Sequence, residues 1–203
     1  VEAYHKPWQN KTGNQVVSED YSGGLAEVKA QVESGNVTWD VVDVELSDAL
    51  QGCDEGILET IDPSTLPAAP DGTPATKDFM DGALQECAVG NIVWSTIYAY
   101  DKTKFSTPPT TMADFFNVEK FPGKRGMRKL GKAMLEMALM GDGVPAEEVY
   151  DLLGTEAGVQ RAFAKLDTIK DHVVWWEAGA QPPQLLADGE VTMTIVWNGR
   201  IFN

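Results

Sequence analysis

The sequence predicts an α/β fold in two lobes, and three observations carry that expectation. Short β-branched runs alternate with amphipathic helical stretches, the pattern of parallel sheets covered by helices. The alternation falls into two blocks, residues 1–92 and 93–197. Two extended apolar runs, near 91–98 and 191–197, stand where the chain would cross between the blocks and back, with 198–203 beginning the return.

In the first block, "NQVVSEDY" reads as a short strand. "GGLAEVKAQVESGN" reads as a helix with Leu25, Val28 and Val32 on one face and a stop at Gly35. "WDVVDVE" has the β-branched density of a buried parallel strand. "LSDALQGCDEG" is a short helix capped by Ser47 or Asp48. A proline-rich connection follows, from Pro63 to Pro74.

"VGNIVWSTIYAYD" reads as one long strand leading into the second block. "KFSTPPTTMADFF" gives a turn and a short helix entered through Thr110 or Thr111. "FPGKRGMRKLGKAMLEMALMGDG" reads as a turn and a long helix, with Leu130, Met134, Leu135, Ala138 and Leu139 at helical spacing. Its methionines are expected to fill core, since thioether metal sites need other soft ligands. "PAEEVYDLLG" and "EAGVQRAFAKLDTIK" are two further helices, "HVVWWEAG" a strand, and "QPPQLLADGE" a helix with proline in its first turn. "VTMTIVWNG" is the last strand, with turn chemistry at Asn198-Gly199. The closing "RIFN" has no polar tail, so the chain is expected to be part of a larger fold.

The 203 residues, 43% hydrophobic, suffice for one sizeable core or two modest lobes. A net charge of −15 disfavours nucleic acid and anionic membrane surfaces as partners. No apolar run approaches the roughly 18 residues of a membrane span. No signal peptide is visible, and Val1 is not an initiator methionine, which leaves room for one removed ahead of this chain. Cys53 and Cys87 are compatible with one disulfide or with two separate thiols; both lie beside turn signals, and a disulfide is expected.

Several stretches, in order, resemble the periplasmic solute-binding proteins of ABC transporters, within them the spermidine/putrescine-binding group. "NKTGNQVV", "GGLAEVKAQVESGNVTWDVV", "GILETID", "STIYAYDKTKF" and "LLADGEVTMTIVWNGR" carry the resemblance, which covers nearly the whole chain. It implies a bilobal periplasmic-binding-protein fold of type II-like topology, truncated at both ends here. It also implies an exported, periplasmic protein, capture of a small solute between lobes, a membrane permease as partner, a monomer when full length, and no cofactor.

Ligands of open α/β sheets lie at the carboxyl ends of strands. That rule nominates Tyr21, Ser22 and Gly23; Glu45, Ser47 and Asp48; Trp94, Ser95 and Thr96; Gly126, Met127 and Arg128; Trp175, Trp176 and Glu177; and Trp197, Asn198 and Arg200. The binding set taken forward is Tyr21, Glu45, Trp94, Ser95, Arg128, Trp176, Glu177, Trp197, Asn198 and Arg200. Tryptophan faces attract an ammonium group by roughly 0.5–2 kcal/mol. Trp175 and Trp176 face opposite sides of a strand, so one of them packs in the core. Where the resemblance implies acidic residues for a polyamine, this sequence has "MRK" and "WNGR". Arg128, expected at a helix N-terminus, and Arg200 offer forks for a carboxylate or phosphate.

The expected solute is therefore amine-bearing: polyamine-like, or an amino-carboxylate zwitterion. A receptor for a small organic or phosphorus-containing anion is the alternative. A cysteine-dependent transferase on the same fold is a third reading, and it would need a free Cys53 or Cys87 beside a base. No GxSxG, GxxxxGK or HExxH is present, and the two histidines lie far from both cysteines in sequence. No catalytic residue and no metal site is expected.

Overall fold

The computed structural model describes residues 2–21 and 23–202. The chain forms two compact units, Val1–Ile92 and Val93–Asn203.

The first unit is built from helices and turns: α1 (His5–Thr12), α2 (Ala26–Glu33), α3 (Leu46–Asp54) and α4 (Ala75–Asp78), with a 3-10 turn at Pro63–Thr65. Helix α1 stops at Gly13, whose left-handed backbone (φ 77°) lets its N–H turn back to the Gln9 carbonyl. Helix α2 buries Val28. Its Gln31 Oε1 accepts from the Thr38 N–H at 2.8 Å and the Trp39 N–H at 3.3 Å, which holds the following turn. Helix α3 buries Ala49 and Gly52, and a Cβ at Gly52 would lie 2.9 Å from Leu58 Cδ1. Its cap position is Glu45, whose carbonyl accepts the Ala49 N–H, not Ser47 or Asp48. Cys53 on α3 is disulfide-bonded to Cys87.

"NQVVSEDY" and "WDVVDVE" form no strand. Both are irregular, and Val17 and Val41 are each 91% exposed. A strand is defined by its ladder, and β-propensity expresses packing against a neighbour. Among the described residues of this unit the only β-pairing is an isolated bridge, Leu84 to Val89. Side chains join the two segments instead. The Tyr21 hydroxyl donates to the Asp43 carbonyl at 2.7 Å, and the Tyr21 and Trp39 rings meet edge-on at 5.1 Å.

The second unit is α/β. In order it contains β1 (Thr96–Tyr100), α5 (Met112–Phe116), β2 (Arg125–Arg128), α6 (Met134–Gly141), α7 (Val149–Leu153), α8 (Glu156–Asp167), β3 (Val173–Trp176), α9 (Gln181–Ala187), β4 (Met193–Trp197) and α10 (Asn198–Ile201). The sheet order is β1-β4-β2-β3, with β2 parallel to both β3 and β4, and β1 antiparallel to β4. Thr111 caps α5 in a reciprocal box with Asp114. Thr155 caps α8 by accepting the Gly158 N–H.

The second unit departs from the sequence expectation at three places. The strand expected over 89–101 is confined to β1, and Ile92 and Val93 are exposed. The turn and long helix expected from Phe121 to Gly143 instead contain β2, and the helix starts only at Met134. Leu130 thus lies outside the helix and is half-exposed. Asn198-Gly199 opens α10 rather than a turn.

Strand β2 is held by Arg125, which is fully buried. Its guanidinium donates to the carbonyls of Phe115 (2.7 Å), Phe121 (2.6 Å) and Gly123 (2.8 Å). Burial pushes it down to about 10, so it stays protonated at neutral pH. Gly126 allows the close approach of β4, since a Cβ there would lie 2.8 Å from Thr194 Cβ. Phe115, Phe121, Met127, Met134, Leu139, Met193 and Ile195 form the core with the helices over the sheet.

Candidate functional site

The sheet of the second unit and the segments at its strand ends carry eight of the ten residues in the expected binding set. Because β2, β3 and β4 run parallel, their carboxyl ends, Arg128, Trp176 and Trp197, reach the same edge. Strand β1 runs the other way, so its start pairs with the end of β4, Thr96 opposite Trp197. Trp94 and Ser95 precede it, Glu177 follows β3, and Asn198 and Arg200 follow β4.

Trp197 is the centre of this edge. Its ring meets Trp94 at 5.8 Å (67°) and Trp176 at 5.8 Å (85°), both edge-on. The Arg128 guanidinium carbon lies 5.0 Å from the ring centroid, in cation–π contact. The face that the sequence suggested for a ligand ammonium thus carries the chain's own guanidinium. Arg128 ends strand β2 and does not open the helix expected after it, which starts only at Met134.

The remaining contacts are polar. Asn198 accepts the Ser95 N–H on its Oδ1 and donates its own N–H to the Ser95 carbonyl, both at 3.0 Å. The Lys129 N–H donates to the Trp176 carbonyl at 2.8 Å, and Lys129 Nζ pairs with Glu177 at 3.3 Å in solvent. Arg200 and Glu177 are exposed. Of the tryptophan pair, Trp176 is buried and Trp175 half-exposed. The Trp176 indole Nε1 is buried without a hydrogen-bond partner among the described residues. A buried donor left unpaired costs roughly 1–3 kcal/mol, which makes it notable beside an arginine. Met127 and Gly126, also nominated, are buried; Met127 belongs to the core.

In the first unit, Tyr21 is partly buried and its hydroxyl is bound to Asp43. Burial first, then the Asp43, Asp48 and Glu27 carboxylates, raise its pKa. Glu45 is partly buried at the start of α3. Ser22 lies outside the described residues. Nothing in the sequence marks Gln181, whose Oε1 accepts the Glu177 and Ala178 N–H groups at 2.8 and 2.7 Å and so orders the loop after β3. Gly179 in that loop is equally unmarked, although it abuts Trp197.

The chain as a whole has counterparts among known proteins. The family profile of bacterial extracellular solute-binding proteins matches residues 3–203. The chain belongs to this family. It is 52% identical over 200 residues to a "Gamma-aminobutyric acid-binding protein" of Pseudomonas aeruginosa PAO1, covering 98% of this chain and 55% of that one. Among solved structures it is similar to the periplasmic binding protein MotA of A. tumefaciens B6 in complex with glucopine: 37% identity, TM-score 0.87, 99% of this chain and 60% of that one. It is also similar to the Atu4243 GABA receptor: 35% identity, TM-score 0.80, 99% and 59%. The expected fold class, that of the bilobal periplasmic binding proteins, is the fold of these neighbours. The chain spans 55% to 60% of the length of these relatives.

Proposed function

We propose that this solute-binding protein serves as the substrate-binding component of an ABC importer and captures a small amino-carboxylate. The observation that carries the reading is Arg128 seated on Trp197, beside Trp94 and Trp176. An arginine fork pairs with a carboxylate in a planar, bidentate way that a polyamine has no use for. Packing against an indole holds that fork in place, so less entropy is lost when the carboxylate arrives. Trp176 Nε1 supplies a further donor, and Trp94, partly exposed, an apolar face for a short methylene chain. Arg200, Asn198, Ser95 and Glu177 complete the binding set in this unit, with Tyr21 and Glu45 assigned to binding in the first. The relatives named for γ-aminobutyrate agree with a ligand of this class.

The protein works by binding, with no chemistry of its own. Both cysteines are consumed in the disulfide, which leaves the transferase reading without a thiol. The disulfide also suits an exported, periplasmic protein. A monomer that hands its solute to a membrane permease is the assembly this implies.

Calorimetric titration with γ-aminobutyrate, putrescine and butyrate tests the reading. Binding of γ-aminobutyrate alone is the expected result, with Arg128→Gln weakening it at least ~30-fold through loss of about 2 kcal/mol of charge-assisted bonding. Binding of putrescine alone would restore the polyamine reading. Equal binding of butyrate and γ-aminobutyrate would favour an anion receptor.

A further inference from the structure

Gly179 lies in the loop between β3 and α9, where Gln181 fixes the preceding N–H groups. A Cβ at this position would stand 2.8 Å from Cε3 of Trp197 and closer still to Cζ3, with Arg200 Nε at 3.5 Å. Carbon atoms repel well outside that range, since their optimal separation is about 3.5–4.0 Å. The backbone at 179 is not left-handed, so alanine is permitted there by conformation and excluded only by space. Trp197 has little freedom to yield. Trp94 and Trp176 abut its ring edge-on, and Arg128 rests over it.

We infer that Gly179 is a positioning residue of the binding site. Its missing side chain lets the Trp197 ring take the plane on which the Arg128 guanidinium rests, and so sets where a solute carboxylate is held. This rests on the amino-carboxylate reading above. Gly179 touches no ligand in this scheme; it acts through Trp197.

A double-mutant cycle tests it. Gly179→Ala is expected to weaken γ-aminobutyrate binding at least tenfold. Phenylalanine at 197 removes the ring atoms that face the new methyl, so in the Trp197→Phe background the same substitution is expected to cost less than twofold. A merely structural effect of the loop would cost the same in both backgrounds. The cycle is also read as melting temperature and tryptophan emission without ligand. Gly179→Ala binding like wild type, or equal losses in both backgrounds, would overturn the inference. If Gly179→Ala does not fold, the double variant must melt with Trp197→Phe alone, and a lower melting point sinks the idea. A wild type that binds no amino-carboxylate defeats the proposed function, and the ligand-free cycle then decides Gly179: coupling keeps it as the residue that positions Trp197, additivity removes it.

Discussion

The two units use similar sequence material and reach different ends. The first carries "VV" and "VVDV" runs that lie irregular and unpaired, with Val17 and Val41 in solvent. The second carries "VVWW" and "MTIVW", and both become strands; Val196 and Ile195 are fully buried. Local propensity does not separate these cases. The second unit supplies each strand with a hydrogen-bonded neighbour and a layer of helices above it, while the first gives its two runs no ladder among its described residues. The charge differs as sharply. Residues 1–92 hold 17 acidic and 4 basic side chains, a net −13; residues 93–203 hold 14 and 12, a net −2. All four arginines lie in the second unit. The first unit must therefore fold against its own repulsion with little core, and the second has a packed core and nearly balanced charge.

If that contrast is right, the largest single-residue loss belongs to the second unit. Arg125→Leu strands the short-bonded carbonyls of Phe115, Phe121 and Gly123 and is expected to cost roughly 3–5 kcal/mol. Urea denaturation measures it, and a cost below about 1 kcal/mol would mean that water reaches those carbonyls. In the first unit the covalent link carries comparable weight. Replacing both Cys53 and Cys87 by serine releases a connection spanning 34 residues, worth roughly 3–4 kcal/mol in chain entropy. Hydrogen exchange is expected to show faster opening of α2 and α3 with β4 unchanged. Equal acceleration in both units would break the distinction.

Next in size is a matched pair. Val196→Thr buries a hydroxyl in a fully occluded site and is expected to cost about 1–3 kcal/mol. Val41→Thr, at an exposed position, should stay within about 0.5 kcal/mol. Similar losses at both positions would show that Val41 is buried in solution.

The same contrast explains what could be read in the sequence. Helices with chemical start signals were legible: Thr111, one of two candidates, before α5, and proline in the first turn of α9. So were β3, β4 and the edge where candidate residues gather, because strand-end geometry follows from alternation. Strand β2 was not, since "RGMR" is two arginines around a glycine and a methionine. It is a strand only because distant carbonyls receive Arg125 and Gly126 admits Thr194. In the candidate site, residue type nominated Arg128 and Trp197 but not that one rests on the other. Gly179 has no side chain to announce itself. Both are facts of packing, which one-dimensional pattern does not encode.

The smallest expected effect compares one device across the units. Asp114, Asp62 and Asp71 each accept backbone N–H bonds, and each carboxyl is pulled below its ordinary value. For Asp114 the cause is chiefly the Thr110 N–H, joined by Lys120 and Thr111, and its pKa falls to about 2. A carboxylate depressed by folding contributes stability above its unfolded value, near 3.8, and loses it as pH falls toward 2. Asp114 closes the capping box of α5, which carries Phe115 and Phe116 into the core. Asp62 and Asp71 only close exposed turns. Asp114→Asn should thus cost about 1 kcal/mol at pH 7, in the range of helix caps. That difference from wild type should shrink through pH 4 to 2, because protonation disables the wild-type carboxylate as well. Asp71→Asn should cost less at every pH. Urea midpoints across that window decide it: a penalty for Asp114→Asn that persists at pH 2 would mean the cap acts through shape, and equal penalties at 114 and 71 would mean that burial beneath the cap adds nothing.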